Sequence, residues 1–228
     1  METYQHIVET IALTLGVGWA SGINLYATLF ILGFMHTNGY ASLPPDLAIL
    51  SDPLVMAAAG LMYCVEFFAD KTPGVDTGWD AIHTFIRIPA GAILAAGAVG
   101  EVAPAAEVAA AIVGATLAGG THLTKAGGRL LINASPEPVS NWFASVGEDL
   151  LVIVGLWAAL QHPLLFLVGL VLFVAAVVWA LPRIWRGIRA LWNRLARLFR
   201  RPEPSEVEVK RIPAAPAPDE RKPNIPPS

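Results

Sequence analysis

Apolar residues run along this chain in long, nearly uncharged blocks, not in the short alternations of a strand or the single stripe of a soluble helix. The first block, Thr10 to Met35, holds 26 residues without one charge, and about 20 mostly apolar residues suffice to cross a bilayer as a helix. Further blocks fall at roughly 53–70, 84–101, 106–130, 148–161 and 163–182. The pattern predicts six membrane-spanning helices. The fifth is short and extends backward into Asn141-Trp142-Phe143. The third extends backward through the stretch near His83, so each is open to being a re-entrant or tilted piece.

Composition agrees. The chain is 55% hydrophobic and 14% charged, with mean hydropathy +0.56, whereas soluble domains carry about 25% charged residues. This is the profile of an all-α polytopic membrane bundle. One cysteine, Cys64, excludes an internal disulfide. The N-terminal METYQHIVET has no Lys or Arg before the first apolar run, and that run is too long for a signal-peptide core, so it reads as a retained first span.

Lys and Arg test the layout independently, because they concentrate in cytoplasmic loops. The expected outer connections, His36 to Ser51, Glu101 to Glu107 and Gln161-His162, contain neither. Lys71, Arg87, Lys125, Arg129 and the seven arginines from Arg183 to Arg201 all fall on the other side. Six spans with both termini on the cytoplasmic side of a cell inner membrane is the expected topology. Residues 1–182 form the bundle. Residues 183–201 alternate Arg with Trp185, Ile188, Leu191, Trp192, Leu195 and Phe199 at helical spacing, a basic amphipathic helix suited to anionic lipid headgroups. From Pro202 onward, eight prolines in 27 residues predict a disordered cytoplasmic tail. The expected partners are the bilayer and those headgroups, with a homo-oligomer left open; nucleic acid is not among them, and no cofactor is indicated.

The first block breaks its own apolar rule at GWASGINLYATL, Gly18 to Leu29. Set over VGATLAGGTHL, Val113 to Leu123, its LGVGWASGINL pairs Gly16 with Gly114, Ala20 with Ala118, Gly22 with Gly120 and Asn24 with His122. Three spans separate the two segments, so they are expected to cross in opposite directions, as an inverted repeat of three plus three. Gly18/Gly22, Gly114/Ala118 and Thr116/Gly120 let helices approach closely. Two readings follow. In one, Asn24 and His122 hydrogen-bond across a packed interface. In the other they mark unwound helices around a pathway, whose candidate residues are Ser21, Asn24, Tyr26, Thr121, His122 and Lys125.

A second concentration lies between Glu66 and Arg87. Glu66 and Asp70 are four apart, as are Asp76 and Asp80, with His83 three further on, so each set shares a helical face. With Lys71, Arg87, Glu148 and Asp149 these form a candidate ion or charge network. Clustered carboxylates also suit Mg or Ca, although nothing in the spacing fixes a metal geometry. No G-x-S-x-G, H-E-x-x-H, Walker loop or G-x-G-x-x-G opening a βαβ unit is present. Ser145, close to Glu148, reads as part of a capping box before the fifth span.

GINLYATL, VEFFADKTPGVDTGWDAIHTFIRIPAG, AGGTHLTKAGGRLLIN and Asn141-Trp-Phe-Ala-Ser145-Val-Gly-Glu148-Asp149 together resemble the bacterial membrane proteins catalogued as domain of unknown function 4126. The resemblance covers about residues 9 to 182. Its most specific part is E-F-x-A-D-K-x-P-x-x-D-x-x-W-D, here Glu66 to Asp80. It implies an integral membrane protein without an established activity, and it draws attention to Pro73 and Trp79 beside the candidates above. Three functions are expected in order: a small transporter or channel-like pathway for a small solute, ion or lipid headgroup; a structural or assembly protein whose helices only pack; and a membrane-embedded enzyme on lipid using Asp76, Asp80 and His83 around a metal-activated water.

Overall fold

The structure, a computed structural model, describes residues 2–72, 74–100, 103–133 and 138–199. Among these the regular elements are helices: α1 (Glu2–Ile23), α2 (Leu25–Thr37), a 3₁₀ turn (Pro45–Ser51), α3 (Pro53–Ala69), α4 (Val75–Val99), α5 (Pro104–Asn133), α6 (Pro138–Gln161) and α7 (Pro163–Phe199). Five of the described helices are long and apolar enough to cross a membrane. They become six if the 3₁₀ turn and α3, bent by 68° from each other, form one span. Pro73, Glu101 and the Pro-rich segment from Pro202 lie outside the described residues. The chain divides into Met1–Leu191 and Trp192–Ser228, and the bundle is the first of these.

Local sequence explains where the helices start. Pro53, Pro104, Pro138 and Pro163 each open one, where the missing N–H costs nothing and φ is already helical. Asp52 caps α3 by accepting from Leu54 N at 2.8 Å. Gly100 ends α4 at φ 73°, a left-handed conformation that favours glycine. Helix α4 begins nine residues before the expected third span and α6 ten before the fifth. The backward extensions near His83 and Asn141 are therefore helical. Ser145 consequently sits inside α6 instead of capping it.

The first expected span is not one helix. Asn24, at φ −146° and ψ 101°, is extended and separates α1 from α2. The chain reverses there. The start of α1 (His6, Glu9, Leu13) lines a cavity with Tyr40, just after α2, and with Gly100 and Gln161. This corrects the expectation for residues 10–35, and its cause is local. The Asn24 Oδ1 accepts from Ala27 N at 2.9 Å, so the side chain replaces one of the backbone bonds the new helix N-terminus lacks.

The reversal at Asn24 changes every later direction. Gly18 lies against Gly114 and Gly22 against Ala118, so residue numbers rise together and α1 runs parallel to α5. The two Gly-rich segments are thus side by side in one direction, not inverted copies. The start of α1 also lies at the Tyr40 and Gln161 end. At the opposite end Gly127 packs on Ile184 and Gly187 on Leu131. The chain path therefore places the start of α1 and the end of the last span at opposite ends of the bundle, contrary to the expectation that both termini share a side. The expected outer connections do cluster at one end, as Tyr40, Gly100 and Gln161 around that cavity show. Helix α7 runs from Pro163 to Phe199 with Pro182 inside it.

Small residues set how closely α1, α4 and α5 meet. A Cβ on Gly18 would come within 2.8 Å of Gly114 Cα. One on Gly22 would overlap Ala118 O and Thr121 Oγ1, and Gly91 of α4 closes the junction against Ala118 and Ser21. Gly120, by contrast, faces open space, so of the expected pairs Thr116/Gly120 takes no part. Accordingly, Gly18→Ala should lower thermal stability in detergent by about 1–3 kcal/mol, the usual range for overpacking. Gly120→Ala should leave it unchanged or slightly raised, since alanine is the better helix former.

Candidate functional site

Where α1 stops, its last carbonyls have no intrahelical donors, and within a bilayer such groups need partners from the protein. Two cations supply them. Arg87 NH1 donates to Gly22 O at 3.3 Å and Ile23 O at 3.1 Å, and Lys125 Nζ donates to Ile23 O at 3.1 Å. Both also meet the negative end of the helix dipole, where positive charge is favoured. Thr121 Oγ1, one turn before Lys125, donates to Trp19 O at 3.1 Å. Ser21 spends its hydroxyl on Gly18 O at 3.0 Å. On the other side of the break, Asn24 Nδ2 donates to Asp149 Oδ1 at 3.0 Å.

From these cations a buried network spreads through α3, α4, α5 and α6. Arg87 NH2 pairs with Glu66 Oε1. Lys125 pairs with Asp70 Oδ2 at 2.7 Å, with Glu148 Oε2 at 3.4 Å and with Glu66 Oε1 at 3.5 Å. Arg129 forks onto both oxygens of Glu148, at 2.7 Å from NH2 and 3.3 Å from Nε, and donates to Asp70 O at 2.8 Å. Arg87 and Glu66 are both 0% exposed. Arg87 lies twelve residues into α4, roughly 18 Å along its axis.

Arg87 also decides the state of a histidine. A guanidinium can only donate, so His122 Nδ1, 3.0 Å from Arg87 NH1, is an acceptor and the ring proton sits on Nε2. That nitrogen faces Thr84 Oγ1 at 2.8 Å and Asp80 O at 3.1 Å. The ring is therefore neutral and oriented from both sides. His83 is arranged the other way round. Its Nδ1 donates to Trp79 O at 2.9 Å, leaving Nε2 to accept from the Tyr26 hydroxyl at 3.1 Å, with the Trp79 ring stacked on it.

Asp76 and Lys71 sit toward the loop end. Asp76 accepts from Gly74 N at 2.9 Å and from Asn133 Nδ2 at 2.9 and 2.8 Å. Lys71 Nζ donates to Ser145 Oγ at 3.1 Å and lies over the Phe67 ring. Burial pulls the Lys71 ammonium below its ordinary pKa, opposed by the charges of Asp149 and Asp70. Asp76, Asp80 and His83 share a face but diverge to different partners. Among the described residues no group of three or more His, Cys, Asp or Glu converges as metal ligands do, so this geometry lends the metal-activated water nothing.

All the singled-out charges thus fall in one region, and Asn24 and His122, paired in sequence, meet it through Asp149 and Arg87. Neither Asn24 nor His122 lines an open cavity, being 1% and 0% exposed. Asn133 and Asn141 were not singled out as site residues, although Asn141 accepts from Arg129 NH1 and Asn133 holds Asp76. The signal was spacing: Asn141, Ser145 and Asp149 lie four apart, as do Arg129 and Asn133, on faces that both turn inward.

The family model described as "Domain of unknown function (DUF4126)" matches residues 11–183. The chain belongs to that family. No curated protein and no solved structure matches it. The DUF4126 segment includes every residue of the network and stops where the exposed arginines of α7 begin.

Removing one partner of a buried ion pair typically costs about 3–5 kcal/mol because the other charge is left uncompensated. Arg87→Leu should lose that much in detergent-solubilised unfolding, and Arg87→Leu with Glu66→Leu should recover part of it. A double variant as unstable as the sum of the single changes would mean that the two side chains do not interact.

Proposed function

We propose that this DUF4126 protein provides a membrane pathway for a small solute or ion, with the break at Asn24 as its moving part. The observation that carries this reading is the discontinuous first helix, whose freed carbonyls meet cations while a carboxylate-rich network surrounds the break. Discontinuous helices at membrane depth build substrate and ion sites in transporters, and ionisable residues inside spans are retained mostly for function.

The opposite end supports an entrance. The cavity bounded by His6, Glu9, Tyr40, Ser42 and Gln161 has a volume of about 580 Å³. Below it Val17, Ala20, Leu94, Ala95, Val152 and Leu156, all buried, form a dry layer. Leu13 lines the cavity and Asn24 touches the network, so the layer spans eleven residues of α1, roughly 16 Å. This is a closed state, with a vestibule on one side of the plug and the charges on the other.

Orientation follows from the cations. Lys71 and Arg129 lie toward the end away from the vestibule, and Lys125 and Arg87 reach deeper into the bundle from that side. The positive-inside tendency puts that end in the cytoplasm and the vestibule, with the start of α1, outside. Reporters placed at the N-terminus and after Gly39 should both register the outer side. An N-terminal reporter that registers the cytoplasm would overturn this chain path.

A second reading is favoured by the tight α1, α4, α5 junction: a static scaffold whose charges only pair. The two readings part at Ser21, which is 0% exposed and close in size to cysteine. In a Cys64→Ala background, Ser21→Cys should react with a small membrane-impermeant thiol reagent applied from the vestibule side if the plug opens. The thiolate is the reacting form and forms only where water reaches. A folded Ser21→Cys protein that stays inert while a Tyr40→Cys control reacts would establish the scaffold instead.

A further inference from the structure

The network holds more carboxylates than cations. Glu66, Asp70, Asp76, Asp80, Glu148 and Asp149 face Lys71, Arg87, Lys125 and Arg129, and all but Glu148 are classed as buried. Cations are shared: Lys125 serves Glu66, Asp70 and Glu148, and Arg129 serves Glu148 and Asp70. Asn133 and the Gly74 N–H satisfy Asp76, and Asn24 satisfies one oxygen of Asp149.

Asp80 is the carboxylate left over. It is 2% exposed, and neither of its oxygens has a hydrogen-bond partner among the described residues. Its nearest cation contact is Arg87 NH1 at 3.5 Å, and that nitrogen is already committed to Gly22 O, Ile23 O and His122 Nδ1. The neighbouring groups offer no relief. On α4 His83 is bonded to Trp79 O and Tyr26; on α3 stand Glu66 and Asp70, both acidic; on α5 His122 is held neutral and Lys125 is taken by three carboxylates; and on α6 Glu148 adds a further negative charge. A bare carboxylate so placed would be a desolvated charge compensated only by a guanidinium that it shares with Glu66.

We propose that Asp80 is a proton-binding site, and that loss of its proton draws Arg87 off the carbonyl end of α1. The proton comes from water, binds one Asp80 oxygen and makes a neutral acid; its release to water restores the carboxylate. In the neutral state Arg87 stays on Glu66 and caps Gly22 and Ile23, as in this structure. In the charged state Asp80 competes for the same NH1, and the carbonyls beside Asn24 lose a donor. Protonation is thereby tied to the break that the pathway reading treats as the moving part. The proposal extends that reading by naming a proton as the ligand, and it rests on that reading for the consequence at the hinge.

The experiment uses the full chain in detergent micelles, where nothing is transported. Infrared difference spectra across a pH titration should contain a carboxylic-acid C=O band that disappears as pH rises. The band should be missing in Asp80→Asn and retained in Asp70→Asn. Hydrogen exchange of residues 19–28, corrected for the intrinsic pH dependence, should quicken as the band is lost in wild type and stay slow throughout in Asp80→Asn. If Asp80→Asn does not fold, Asp80→Glu replaces it and should shift the band and its midpoint. A band that persists in Asp80→Asn, a band unmoved in Asp80→Glu, or no titrating acid band in wild type would overturn the site. Exchange independent of pH beside a titrating band would overturn its coupling to the hinge. The Ser21→Cys labelling reads the plug independently, so an inert cysteine with a titrating band would remove the pathway and leave the proton site.

Discussion

A chain that ends a helix inside a bilayer must find donors for the carbonyls it frees, because no water is there to supply them. Arg87 meets that need here, and the rest of the network is arranged around it. Its guanidinium joins the α1 terminus, Glu66 of α3 and His122 of α5 from a position on α4, so one side chain ties four helices together. Five fixed donors and a charge that cannot be shed suit arginine to this place. A lysine could satisfy one or two of these acceptors but not orient the imidazole as well.

Arg87 reaches α1 only because the backbones approach so closely. Gly91, one turn beyond it on α4, lies against Ala118 and Ser21, and Gly18 and Gly22 of α1 meet Gly114 and Ala118 of α5. In lipid there is little hydrophobic drive between helices, and small residues are what allow close van der Waals contact and interhelical hydrogen bonds. Packing and chemistry are therefore successive links of one chain of cause. The glycines bring α1, α4 and α5 together, and that proximity lets Arg87, Thr121 and Lys125 reach α1 carbonyls. Those bonds in turn make a helix break at Asn24 tolerable.

The charge network lies on one side of a buried apolar layer and the cavity beside Tyr40 and Gln161 on the other. On the pathway reading we propose, a movement that opens this layer would change the solvation of several ionisable groups together. Asp80 is the group with least to hold its charge, and Asn24 is the point where the backbone is already interrupted. A single nitrogen of Arg87 meets both Asp80 and the Ile23 carbonyl that precedes Asn24.

How much of this was legible beforehand depends on whether the governing interaction is local. Uncharged runs of membrane length and the absence of Lys and Arg from three connections are properties of contiguous residues, and they determined the helical membrane bundle, the clustering of those connections and the grouping of the carboxylates. The i, i+4 spacing of Glu66 with Asp70 and of Asp76 with Asp80 likewise placed them on shared faces. The break at Asn24 was one of two readings, because an apolar run with a few polar residues suits a continuous span equally well; donors arriving from α4 and α5, and the Asp149 acceptor from α6, make stopping there favourable. That break turned the chain back, made α1 and α5 parallel where an inverted pair was expected, and put the start of α1 at the Tyr40 and Gln161 end. Which carboxylate lacks a partner was beyond the sequence for the same reason. Pairing within a buried network is decided by distances between helices remote in the chain, and those exist only once the bundle has packed.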